Sequence, residues 1–277
     1  MKKVLIPALF LLFGIGQLVG QNLTAITYNI RLDVASDGEN AWMYRKDKVC
    51  GLLAFYEPDV IGVQEAVPSQ MSYIDSSLTA YNFVGVGRDG GNIGEYSAIF
   101  YKTNRFEVLE QSTFWLSETP DTVSFGWDAA CRRICTYSLF KDKESGKKFW
   151  VFNLHLDHVG QEARINGVKL VVHKIKDLNS DNLPVILLGD FNATLESEPI
   201  QLVSQEFVDS REASGLVYGS NGTFNGFKFH EPASECIDYI FTSRKGFKVL
   251  KYAVLTDSYN CHYPSDHFPV LVKLGWE

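Results

Sequence analysis

The run Val185, Ile186, Leu187, Leu188, Gly189, Asp190, Phe191, Asn192 and Ala193 carries more information than any other stretch of this chain. Four apolar residues make a short segment of the kind that becomes a buried strand, and the glycine after them permits a sharp bend. Asp190 and Asn192 then stand two apart, so that both side chains can face one point. A carboxylate so placed can take a proton from water while the amide orients the nucleophile or steadies a developing oxyanion. The competing reading is a plain Asx turn closing a strand.

Elsewhere in the chain, polar groups again stand where apolar strands end and a side chain can leave the core for a cleft. Ile26 to Arg31 places Asn29 at one strand end, and Val60 to Glu65 places Glu65 at another. Together they offer the hard oxygen donors that magnesium prefers, although either alone also serves as a turn or cap residue. Val151 to His158 ends in a cluster of imidazole and carboxylate groups at His155, Asp157 and His158. Asp157, His158 and Arg164 read equally as substrate-side groups or as capping of the next helix. Asp238 sits inside the apolar run Ile237 to Phe241, and Asp266 and His267 precede the last strand. An inward Asp in such a strand needs a partner, and a His is an obvious one.

Short β-type runs recur at 23–30, 59–64, 82–86, 96–101, 135–140, 148–156, 185–188, 237–242, 248–255 and 270–274. Helical patterns are fewer, at 41–55, 69–78, 161–179 and 198–204, the third with an apolar stripe of Ile165, Val168, Val172 and Ile175. Strands of this kind are buried by an α/β arrangement of two sheets packed face to face with helices outside. A single doubly wound parallel sheet is the alternative. After residue 20 no linker, like-charge block or low-complexity run interrupts the chain, which predicts one domain over 21–277.

The 277 residues are 45% hydrophobic and 13% aromatic, enough for a sizeable core and incompatible with general disorder. Met1, Lys2 and Lys3, the apolar run Val4 to Phe13 and the stretch to Gly20 have the grammar of a cleaved signal peptide, and the apolar run is short for a membrane span. The expected location is periplasmic or secreted, with no integral span once residues 1–20 are removed. Five cysteines without CxxC spacing exclude a disulfide scaffold or zinc knuckle as the organising device, and Cys131 and Cys135 read as small hydrophobes. The formal charge of −7, which becomes −9 without Lys2 and Lys3, opposes tight nonspecific binding to a long polyanion. A small phosphoester is therefore favoured over nucleic acid as the partner, and a monomer is expected.

Asn29 in TYNIR, Glu65 in QE, His155 in NLHLDH, GDFNA at 189–193, IDYIF at 237–241 and SDHFPV at 265–270 resemble, in this order, the endonuclease/exonuclease/phosphatase superfamily. The resemblance runs from about Leu23 to the end. Within the superfamily the chain looks most similar to a secreted bacterial branch, closer to deadenylase-type phosphohydrolases than to abasic-site repair nucleases, which carry Tyr where this chain has His155. The resemblance implies a deoxyribonuclease-like fold, a four-layered α/β/β/α sandwich of two packed mixed sheets with the active site at one end. It also implies Mg2+, with Mn2+ as a substitute, held by Glu65 with help from Asn29 and Asp266. Asp190 would activate the attacking water, Asn192 would position phosphate or nucleophile, and His155 and His267 would donate to phosphoryl oxygens. Asp238 would orient His267, and Glu95 in GEYSAIF would orient His155. The implied reaction is in-line attack of water on phosphorus, without a covalent enzyme intermediate.

Arg133, after the aromatic stretch Phe125 to Trp127, suits a pair of phosphate oxygens, with a surface salt bridge as its alternative and Arg132 as its competitor. Trp42, Trp115 and Trp127 read as packing residues before cleft walls. Nucleic acid, inositol phosphate, phospholipid head group, sugar phosphate and nucleotide all stay open as substrates, with the loop-like stretches 85–94 and 210–235 shaping the rim.

Two other functional readings compete. NLHLDH is one residue from the HxHxDH zinc motif of metallo-β-lactamase-like hydrolases, with Asn153 where the first His would stand and no matching context for His173, His230 or His262. A catalytically inactive phospholigand-binding module is the other, and the filled catalytic positions do not favour it.

Overall fold

The computed structural model describes residues 22–277, so the expected signal peptide at residues 1–20 lies outside the described residues. In chain order the elements are β1 (Leu23–Asn29), a 3-10 turn (Ala35–Asn40), α1 (Trp42–Tyr56), β2 (Val60–Ala66), α2 (Pro68–Ser77), β3 (Tyr81–Val84), β4 (Tyr96–Lys102), β5 (Phe106–Trp115), β6 (Ile134–Asp142) and β7 (Lys148–His155). There follow α3 (Gln161–Leu178), β8 (Val185–Asp190), α4 (Glu198–Glu206), β9 (Phe207–Asp209), α5 (Ser210–Ala213), β10 (Val217–Gly219), β11 (Asp238–Ser243), β12 (Phe247–Val254) and β13 (Val270–Trp276). They build two mixed sheets, ordered β10-β12-β13-β1-β2-β4-β3 and β5-β6-β7-β8-β11-β9.

Each sheet is centred on a parallel pair, β1 with β2 and β7 with β8, connected through α1 and α3. Each pair has an antiparallel neighbour, β13 beside β1 and β11 beside β8. Side chains alternate along the strands, and that alternation makes the layers. On β7, Phe149 and Val151 join Ala25, Val60, Ile186, Leu188 and Val270 in the core between the sheets. Trp150, Phe152 and Leu154 point the other way, to Val168, Val171 and Ile175 of α3. On β1, Ile26 and Tyr28 likewise meet Val49 and Leu53 of α1 and Met71 and Ile74 of α2. The outcome is the four-layered sandwich, not the single doubly wound sheet.

Every strand and helix read from the sequence is present within two residues at each end. The chain adds three strands that the sequence pattern hides. β5 is an edge strand paired only with β6, and its middle, Glu107 to Ser112, is largely exposed and carries Glu107, Glu110 and Gln111. Such polar edges discourage pairing with another chain, and they also erase the apolar signature of a strand. β9 and β10 have three residues each. In α3 the buried line runs through Val171, with Val172 half-buried.

The inner columns of the two sheets change character along their length. β1 runs Leu23, Ala25, Thr27, Asn29; β7 runs Phe149, Val151, Asn153, His155; β8 runs Ile186, Leu188, Asp190; all are buried. Between the apolar end and the polar end lies a layer of amides that joins the sheets. Asn153 Nδ2 donates to the carbonyls of Val63 (3.0 Å) and Ala98 (2.7 Å) across the interface, and its Oδ1 accepts from Gln64 Nε2 at 2.7 Å. Gln64 Nε2 also donates to Thr27 Oγ1 at 3.0 Å. The crossing needs Gly62, where a Cβ would meet Leu188 at 2.0 Å and Asn153 at 3.0 Å.

Replacing Asn153 with Leu, close in volume, takes the amide donor from two carbonyls in a dry layer and leaves Gln64 Nε2 with Thr27 alone, and each unpaired group costs about 1–3 kcal/mol. Urea denaturation of Asn153→Leu is expected to show a loss of about 2–4 kcal/mol with an unchanged slope. A loss under about 1 kcal/mol would mean that the amide layer does not couple the sheets.

Candidate active site

The polar ends of the inner columns meet at one edge of the sandwich. His155 and Asp190 are register partners where β7 and β8 end, and Asp238, at the start of β11, pairs with Asp190 from the other side. The facing sheet brings Asn29 at the end of β1, Glu65 near the end of β2, and Asp266 and His267 just before β13. Parallel strands thus contribute their C-terminal ends and their antiparallel neighbours contribute their N-terminal ends. The resulting cleft encloses about 320 Å³.

Asp190 stands at its centre, and its two oxygens divide the work. Oδ1 accepts from Asn192 N at 2.9 Å, which is the Asx turn. Oδ2 faces the cleft, accepting from Asn29 Nδ2 at 2.9 Å and lying 3.4 Å from His155 Nε2 and 3.8 Å from His267 Nε2. Burial, reinforced by the Asp238 charge, pushes its carboxyl up to about 7, against the opposing pull of His267 and the two hydrogen bonds. The bend falls at Asn192, which has φ 45°, and not at Gly189. Gly189 stays within β8 with φ 149°, and a Cβ there would stand 2.1 Å from the Leu154 carbonyl oxygen, so the glycine permits close strand contact.

The two buried histidines are driven in opposite directions. His267 Nδ1 donates to Asp238 Oδ2 at 2.9 Å, as the sequence suggested. Burial alone would lower the His267 pKa, but the charge and hydrogen bond of Asp238, with Asp190 and Asp266 nearby, raise it well above the ordinary value. His155 is pushed well below it by burial and by the adjacent Arg133 guanidinium. Arg133 Nη1 lies 2.9 Å from His155 Nδ1 and 3.1 Å from its Nε2, and a guanidinium can only donate, so a neutral ring offers it the nitrogen that carries no proton. Asn192 Nδ2 donates to the Leu156 carbonyl at 3.0 Å and lies 3.1 Å from His155 Nε2.

Glu65 reaches the cleft through a β-bulge. The β2–β4 register shifts between Gln64 and Ala66, and Glu65 takes φ 65°, a backbone region uncommon outside glycine. Its Oε1 accepts from Asn29 Nδ2 at 3.0 Å and its Oε2 from Leu32 N at 3.0 Å. Asn29, expected as a metal ligand, is instead a bridge. Its oxygen accepts from Arg31 N at 3.0 Å while its NH2 spans Glu65 and Asp190, the orientation in which an amide can serve two carboxylates.

Glu95 also departs from expectation. It makes no hydrogen bond to His155; its carboxylate is taken by Arg88, with Nη1 to Oε2 at 2.7 Å and Nη2 to Oε1 at 2.6 Å. The group against His155 is Arg133, which is buried, faces His158 Nδ1 at 3.0 Å and lies 3.5 Å from Asp157. Arg132 is outside, paired with Asp89 at 3.0 Å and stacked on Phe125. Asp157 is a capping group that accepts from Val159 N and Gly160 N before α3, whereas His158 lines the cleft. Trp42 and Trp115 are buried packing residues, and Trp115 Nε1 donates to the Arg88 carbonyl at 2.7 Å.

Arg31, Arg88 and Phe224 line the cleft without having been singled out as site residues. Each lies on a connection, where no strand ending marks it. A basic residue alone in the Gly-rich stretch 85–94 was the available signal for Arg88.

A divalent cation fits the acidic side of this cleft. Burial raises the Asp266 pKa, His267 opposes that rise, and the neighbouring Glu65 carboxylate adds to it, so two hard anionic donors repel each other where a cation would join them. Asp190, Asp238 and His267 also bring ligand atoms within 4.8 Å of one another, with His267 Nδ1 already committed to Asp238. Cys131, Asp157 and His158 form a comparable group, but Asp157 is held by backbone N–H groups and His158 faces a guanidinium. The metallo-β-lactamase-like alternative loses its first ligand position, because Asn153 lies between the sheets. All five cysteines are free.

The family model described as Endonuclease/Exonuclease/phosphatase family matches residues 26–267. The solved structure of the Bacteroides thetaiotaomicron mannosyl-6-phosphatase is 41% identical with a TM-score of 0.88, covering 91% of this chain and 99% of that one. An uncharacterized protein of Acanthamoeba polyphaga mimivirus is 28% identical over 255 residues, 83% of this chain and 91% of that protein. Tyrosyl-DNA phosphodiesterase 2 of Rattus norvegicus is 28% identical over 61% of this chain, and the match spans only 41% of that relative's length.

In metal-free protein, 15N-edited NMR of the imidazoles at neutral pH should show His267 doubly protonated and His155 neutral. The Asp238→Asn variant should bring the His267 titration down to or below about 6.5, the ordinary histidine value. Because the folded pKa of His267 is raised, its charge pairing stabilises the fold fully below about pH 6.5 and is lost as pH rises through the elevated value. A His267 that titrates normally in the parent protein would overturn this assignment of charge.

Proposed function

This chain belongs to the endonuclease/exonuclease/phosphatase family of metal-dependent phosphoester hydrolases, and within it we propose that the protein is an exported, Mg2+-dependent phosphatase of small sugar phosphates that uses Asp190 as general base. The observation that carries the reading is the buried Asp190 Oδ2, turned into a small cleft between two histidines of opposite charge state. A carboxylate with a pKa near neutrality is matched to taking a proton from water.

Likeness to a mannosyl-6-phosphatase over almost its whole length supports the phosphomonoester reading. So does the cleft volume, at the low end of the range for small-molecule sites. The net charge of −7 disfavours a polyanionic substrate. Export rests on the signal-peptide grammar of residues 1–20, and no helix among the described residues is long and apolar enough to cross a membrane.

Glu65 and Asp266 would hold the metal ion, Mg2+ or in its place Mn2+, with Asn29 fixing the Glu65 carboxylate. When bound, the ion supplies Lewis-acid polarisation and charge neutralisation at the phosphoryl oxygens. Asp190 Oδ2, held in place by Asn29, removes a proton from the water that attacks phosphorus in line; the P–O bond to the sugar breaks on the far side and the sugar oxygen leaves as the alcohol with a proton from solvent. Arg133, Asn192 and His155 steady the phosphoryl oxygens, and the His267 imidazolium, fixed by Asp238, donates from the opposite side. Asp190 can rid itself of the proton into solvent through the open cleft.

The test is phosphate release by the chain beginning at Gln21 from a panel of hexose 6-phosphates, nucleotides, inositol phosphates, a nitrophenyl phosphodiester and a single-stranded oligonucleotide. Hexose phosphates should be favoured, chelator should abolish turnover, and Mg2+ or Mn2+ should restore it. Asp190→Asn should lower kcat by about 10³-fold or more, in keeping with loss of a general base. A preference for the diester or oligonucleotide would sink the phosphatase reading. Turnover untouched by the substitution would remove Asp190 from its role, and no release from any substrate would favour a binding module.

A further inference from the structure

A second cavity, of about 650 Å³ against about 320 Å³ for the catalytic cleft, opens between the start of α1 and the β12–β13 connection. Its walls include Tyr44 and Lys48 of α1 and Tyr259, His262 and Tyr263 of the connection. Its position beside the cleft is set by Arg45, which lines it and is itself buried. The Arg45 guanidinium donates to the carbonyls of Asn40 and Ile30 (both 2.6 Å), Pro264 and Arg31 (both 3.0 Å). Arg31 faces the catalytic cleft, and Pro264, on the wall of the second cavity, precedes Asp266 by two residues, roughly 7 Å of backbone at most. The two hollows therefore share a wall.

That wall is firm. Tyr259 and His262 close a two-residue hairpin, with Tyr259 N to His262 O at 2.8 Å and the reverse bond at 3.0 Å, and Asn260 and Cys261 both take left-handed φ. The chemistry of the lining is specific. Three phenol rings stand on the lining: Tyr44 is exposed, Lys48 Nζ sits 4.7 Å over the Tyr259 ring, and Tyr263 packs against Phe229 and Phe268. Among the described residues, the hydroxyls of Tyr44, Tyr259 and Tyr263 and the His262 ring have no protein hydrogen-bond partner. Aromatic rings with uncommitted hydroxyl and imidazole groups match a pyranose, which packs its C–H face on a ring and exchanges water at its hydroxyls. An anion would find Lys48 opposed by Glu39 on the same lining.

We propose that this cavity is a saccharide subsite, holding a neutral sugar unit of a glycan whose phosphorylated sugar occupies the catalytic cleft. The link to the phosphorylated end rests on the sugar-phosphate reading above; binding of a neutral sugar does not.

Two measurements on the chain from Gln21 separate these. First, neutral di- and trisaccharides of mannose, glucose and galactose are titrated against protein carrying 13C-labelled tyrosine. At least one should give saturable shifts of Tyr44 and Tyr259, lost in Tyr44→Ala and Tyr259→Ala variants whose Tm and circular dichroism remain those of folded protein. Second, kcat/KM is compared for a hexose 6-phosphate and for a trisaccharide carrying that phosphate on its terminal sugar. The longer substrate should be favoured by about tenfold, or about 1.4 kcal/mol, and the two substitutions should bring the ratio to near one. Absence of saccharide binding, or binding and preference that survive both substitutions, overturns the subsite. Neutral binding at these tyrosines without hydrolysis of any sugar phosphate upholds the subsite and removes the sugar-phosphate reading instead.

Discussion

Two sheets can pack face to face only where their inner columns are apolar, and they can house hydrolytic chemistry only where those same columns are charged. This chain meets both demands by grading each column along its length. Phe149 and Val151 give way to Asn153 and then His155; Leu188 gives way to Asp190; Ala25 gives way to Thr27 and Asn29. The amide layer of Asn153 and Gln64 is the join between the two regimes. It satisfies backbone carbonyls of the opposite sheet, so the sheets stay in contact where greasy packing ends and ionised groups begin.

Burial then sets the electrostatics beyond that join. Asp190, His155 and His267 are withdrawn from water, so their protonation follows their neighbours more than bulk pH. A carboxylate beside one imidazole and a guanidinium beside the other send the pair to opposite charge states within one small volume. Much of the machinery therefore serves other machinery. Asp238 acts on His267, Arg133 on His155, and Asn29 on two carboxylates at once.

The strand-end residues were legible because an apolar run that stops at Asp, His or Asn leaves few structural explanations. GDFNA, NLHLDH and SDHFPV brought Asp190, Asn192, His155, His158, Asp266 and His267 to the cleft, while Asn153 and Asp157 went to the amide layer and to the start of α3. What stayed hidden was of two kinds. β5 hides because an exposed edge has no apolar rhythm to read. The partnerships of Glu95 and Asn29 hide because they depend on which atom of a distant residue arrives: Arg88 captures Glu95, and Asn29 turns its NH2 rather than its oxygen to the carboxylates. Sequence order determines which groups can meet, whereas donor and acceptor geometry determines which of them bond.

The bulge at Glu65 separates the catalytic complement from the core by parity alone. Side chains on β2 alternate between the other sheet and the helix layer, so the sixty-fifth residue of an unbroken strand would point at α1 and α2. One supernumerary residue in left-handed conformation reverses that sense for everything after Gln64 and leaves all the packing before it untouched. The acid is therefore in the cleft because of a single added peptide unit. Catalytic placement in this architecture is thus a matter of chain length at one point, decoupled from the packing that precedes it.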